Sequence, residues 1–86
     1  MTIDKIKFLI ENISDEDMHF ILVSLLSSDT LLSKENCEKS LEMTNKIIKA
    51  LSEADISELK RTRWLEYAKE SKEIISRDLK EFKNGK

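Results

Sequence analysis

Apolar residues recur every three or four positions along most of this chain, a spacing that predicts helices nearly from end to end. Ile3, Ile6, Ile10 and Ile13, with Leu9 alongside, form one stripe behind Thr2, so a first helix is expected over about residues 3–13. Ser14 then offers a hydroxyl to a second start, and Asp15, Glu16 and Asp17 set negative charge against the positive end of that helix's dipole. Between Met18 and Leu26 only His19 and Ser24 are polar. Apolar side chains there surround the helix instead of striping it, so the second helix, about 15–27, is predicted to be the buried centre.

Ser27, Ser28, Asp29 and Thr30 favour a turn, because short polar side chains compete for backbone groups. A third helix follows, beginning near Asp29 or at Ser33 and placed at about 30–53. Cys37, Leu41, Thr44, Ile48 and Leu51 fall along it at four-three spacing, with Ile47 and Ala50 widening the face. Asp55 with Glu58 resembles a capping box and marks a fourth start. That helix, about 56–83, continues through Leu59, Trp64, Leu65, Ala68, Ile75, Leu79 and Phe82 to a stop at Asn84–Gly85. The expected fold is all-α. It is a single domain over 1–86, a small four-helix bundle of three short to medium helices and one long C-terminal helix.

A fourth helix of that length would reach roughly 40 Å, about twice the first or second. Its face around Trp64, Leu65, Ala68, Ile75, Leu79 and Phe82 is therefore expected to stand partly open on a lone chain, and an open apolar seam predicts a partner. The simplest partner is a second copy, since two-fold homodimers are the commonest assemblies. The alternative is a break near Lys60–Arg63 that folds the helix back on its own bundle.

Composition narrows the function. The chain has no proline and one glycine, Gly85, so it carries no Gly-rich phosphate cradle. Its longest uninterrupted apolar runs fall far short of the roughly 20 residues that span a bilayer, and charges interrupt the apolar residues of the N-terminus where a signal peptide would have none. The single cysteine, Cys37, cannot form an internal disulfide, so a cytoplasmic location is expected. Abundant Lys, Ile, Glu and Asn suit an A+T-rich genome, such as that of a low-G+C bacterium or its phage.

Candidate chemistry is sparse. Residues 1–58 hold six lysines against twelve carboxylates, while residues 59–86 hold nine cations against five acids, so an acidic body precedes a basic tail. Within that tail, segment 60–72 interleaves Lys60, Arg61, Arg63 and Lys69 with Trp64 and Tyr67, a pattern that would let cations meet phosphates while an aromatic ring stacks on a base. Glu58, Glu66, Glu70 and Glu73 on or near the same segment weaken that alternative, a nucleic-acid-associated regulator. Glu16 and His19 share a helix face at the spacing used in di-iron bundles, which makes a metal-binding helical dimer a remote alternative. A single copy of the pair is a weak ligand set, and its residues also suit an acidic first turn and a polar helix position. Cys37 lacks an activating neighbour, and the serines fit caps and helix faces. No catalytic residue, cofactor or metal is therefore expected. The function expected is that of a non-enzymatic adaptor or inhibitor, binding itself and another protein through the apolar face of the C-terminal helix.

Overall fold

Each helix starts on a hydroxyl. The computed structural model describes residues 2–26 and 33–85, which form α1 (Ile3–Asn12), α2 (Asp15–Ser24), α3 (Lys34–Glu53) and α4 (Glu58–Gly85), with no strand among them. Thr2, Ser14, Ser33 and Ser57 each accept a hydrogen bond from the backbone N–H three residues on, at 3.3, 3.2, 3.1 and 3.2 Å. One orphan donor is thereby satisfied at every start. Asp55 is not the cap of the fourth helix: Ser57, two residues later, takes that place. The expected turn at Ser27–Thr30, the end of the second helix at 27 and the start of the third at 29 or 30 lie outside the described residues.

Helix ends are closed without left-handed residues, since no described residue has positive φ. At the end of α3, Ala54 is extended (φ −69°, ψ 151°), and the carbonyls that would be orphaned there receive the Arg61 guanidinium. That group donates to the carbonyls of Leu51, Ala54 (2.9 Å) and Ile56 (3.4 Å) and is held by Glu58 at 3.2 Å. An arginine from the next helix thus does what a glycine cap commonly does. α4 runs unbroken through Lys60–Arg63 and continues to Gly85, so the alternative of a break does not occur, and the stop expected at Asn84–Gly85 is not reached before Gly85.

The helices form two stacked hairpins. α3 and α4 pair antiparallel through buried positions at four-three spacing: Cys37, Ser40, Thr44, Ile47 and Leu51 on one, Trp64, Ala68, Ser71, Ile75 and Leu79 on the other. Small side chains along this line let the backbones approach, and the Thr44 hydroxyl is satisfied internally by the Ser40 carbonyl at 2.8 Å. The buried line of α3 includes Ile47, as expected, and also Ser40, whereas Leu41 and Ile48, expected inside, are half-buried. α1 packs on α3 beside Met43 and Ile47.

α1 and α2 lie over the turn end of that hairpin. Lys7 approaches Glu53 at 3.9 Å, and the Glu11 carboxylate accepts the Asp55 N–H at 2.7 Å, so α1 runs alongside α3. Ile6, Ile10, Met18 and Leu22 complete a core with Ile47, Ala50, Leu51, Ala54, Trp64 and Ala68. The radius of gyration is 13.2 Å, above the roughly 12 Å of a round domain this size, and the long dimension of 43 Å matches α4's 28 residues at about 1.5 Å each. No helix among the described residues is long and apolar enough to cross a membrane.

Candidate interaction surface

The seam expected to stand open on α4 is enclosed by the chain itself. Trp64 is 1% exposed, Ala68, Ile75 and Leu79 are buried, and Leu65 and Phe82 are half-buried. The correction is geometric: α3 pairs with α4 over most of its length, and α2 covers the flank beside Trp64, so the long helix has a neighbour along its apolar line. Trp64 fits there because its indole N–H finds a partner, donating to the Asp15 carboxylate at 2.8 Å.

The same packing consumes much of the basic segment. Arg61 caps α3, Arg63 pairs with Asp15 at 3.2 Å, and the Lys60 ammonium lies 5.5 Å from the centre of the Trp64 ring. Lys69 stays exposed. Trp64 offers no face on which a base could stack. Glu16 is exposed, and the His19 ring meets Tyr67 edge-on at 5.7 Å, while no group of three or more potential metal ligands forms among the described residues. Cys37 is buried. Burial first, and the charge of Asp78 second, push its thiol pKa above the ordinary value, so it stays protonated and a poor nucleophile.

What the sequence reading missed is α2. Surrounded by apolar side chains, it was expected at the centre, yet only Met18 and Leu22 are fully buried. Phe20 is 74% exposed and Val23 is 50% exposed. A ten-residue helix lying on one edge of a hairpin has one covered side, whatever its composition. α2 runs in the same direction as α4: Asp15 meets Arg63 and Trp64, His19 meets Tyr67, and Leu22, Val23 and Leu26 line a groove with Ser71 and Ile74. Tyr67 (38% exposed) and Ile74 (37%) carry the apolar surface across the groove onto α4. Glu70 also lines it, and no lysine or arginine does. The signal was present in the sequence as an excess of apolar residues on α2 beyond what one contact face can bury.

These features define a class: a small up-down-up-down helical domain with an enclosed core, an apolar pocket among its first three helices and a largely apolar groove between its second and fourth helices. No known protein family, curated protein or solved structure matches the chain.

Proposed function

We propose that this chain is a non-enzymatic helical protein-interaction module, an adaptor or inhibitor acting in the cytoplasm, whose working surface is the α2/α4 groove. The observation that carries the reading is the exposure of Val23 beside Tyr67 and Ile74 in that groove, with Phe20 exposed on the same helix. Contiguous apolar side chains kept in water cost a small domain solubility, and surfaces of this kind usually meet a partner. The groove lies between two helices running side by side, which suits a third helix laid along it. With Glu70 in the lining and Glu16 exposed on α2, a cationic side chain on that helix would be favoured. A single cysteine, buried in the core, suits a reducing compartment.

Photo-cross-linking in the native cell tests this. A photoreactive residue at position 23 or 74 should give protein adducts that vanish when Phe20→Ser is added, while the same residue at position 59 should give none that depend on Phe20. Adducts from position 59 alone would overturn the reading. Nucleic-acid adducts from segment 60–72 would favour the regulator instead.

A further inference from the structure

We infer that the helix this groove takes is α4 of a second copy, laid antiparallel across a two-fold axis level with residue 72. The inference rests on the groove being a binding surface and names its occupant. Arg63, Tyr67, Glu70, Ile74, Arg77 and Glu81 are all exposed and follow one another at four-three-four-three-four spacing, the repeat of a helix-pairing seam. Read against its own reverse about position 72, the row matches opposite charges at its ends and a cation with an aromatic ring inside them. Arg63 meets the opposite charge of Glu81, Tyr67 meets Arg77, and Glu70 meets Ile74. A two-fold axis makes every such pair twice.

Coverage points the same way. α2 follows α4 from Arg63 to Ile74, and beyond it Arg77, Lys80 and Glu81 are exposed. In the antiparallel arrangement the second copy's α2 comes alongside that stretch, bringing its exposed Phe20 near Arg77. The Arg77 guanidinium then lies against two aromatic rings and beside Glu70, which supplies the cation the groove lacks. Four apolar side chains alone give about half of the roughly 800 Å² that each side of a stable interface buries. The charged row supplies the remainder and sets the register.

Sedimentation equilibrium from about 1 µM to 1 mM reads the association, with micromolar dimerisation expected. Arg63→Glu and Glu81→Lys should each weaken it tenfold or more, because each sets like charges together at both ends. Mixed in equal amounts, the two variants should form a heterodimer within about threefold of the wild-type affinity, since each repulsive pair becomes an attractive one. Arg63→Glu also faces Asp15 within the chain, so a second measurement stands independently of it. Glu70→Cys mixed with Ile74→Cys should oxidise to a crossed disulfide dimer faster than either alone, since the pairing sets these two positions opposite each other. A chain that stays monomeric at the top of the range, or a mixture no tighter than its components together with no preferential crossed disulfide, overturns the pairing. If the chain is monomeric while Phe20→Ser still abolishes cross-links to another protein, the pairing fails and the groove survives. Loss of both removes the groove as well.

Discussion

Single side chains decide where this chain departs from what its pattern suggests and where it keeps to it. Trp64 sits at the centre of a basic and aromatic segment whose sequence points outward, toward phosphates or a partner, but its ring fills the core and its N–H is spent on Asp15. No spacing rule reveals that, because Asp15 lies 49 positions away. Cys37 is the converse: its place on the α3 stripe predicted a small core residue, and it is buried against Ile75 and Leu79. Its raised pKa has a consequence with a definite sign. The folded state holds the proton to higher pH than the unfolded state does, so this contribution is complete below the ordinary thiol value of 9.0 and is lost as pH rises from there through the raised one. Thermal melts should show Cys37→Ala losing less stability than wild type between neutral pH and pH values above 9.0. Equal losses would contradict the assignment.

Helix boundaries were legible at Thr2 and Ser14, where a hydroxyl cap fixes them, left open between Asp29 and Ser33, and misread at Asp55, where two competent caps lie two residues apart. Type of element was never in doubt in a chain without proline, but the rotation of α3 and the exposure of α2 depend on which neighbours arrive, and periodicity within one helix does not carry that. Arg61 shows how a chain almost free of glycine ends its helices. Its side chain is only 20% exposed and ties the end of α3 to the start of α4. Charge-assisted bonds to otherwise orphaned carbonyls are worth about 1.5–3 kcal/mol. Arg61→Ala should therefore lower the melting temperature by roughly 6–24 °C, at about 4–8 °C per kcal/mol for a domain this small. Arg61→Lys should recover less than half of that, because one ammonium cannot reach three carbonyls as a planar fork does. Full recovery by lysine would show that charge alone matters there.

At the scale of the molecule, the long helix is the ruler: it sets the 43 Å dimension, and the other elements are laid along it. Its length was visible in the sequence, as was the need for something to cover its apolar line. The sequence placed that cover on a partner, whereas α3 and α2 of the same chain provide it. The apolar surplus then lies outside the core, on Phe20 and Val23 of α2 and also on Phe8 and Leu9 of α1 and Leu59 of α4, which leaves a division between an enclosed seam and an open groove. That division is tested by two substitutions measured together for stability and for binding. Trp64→Ala should cost about 3–5 kcal/mol in denaturant unfolding, a large share of a small domain's total, because it empties the core. Phe20→Ser should change stability by less than about 0.5 kcal/mol, since it alters an exposed position, yet abolish association. The reverse result, a stable Trp64→Ala that no longer associates beside a Phe20→Ser that still does, would put the working surface back on the seam.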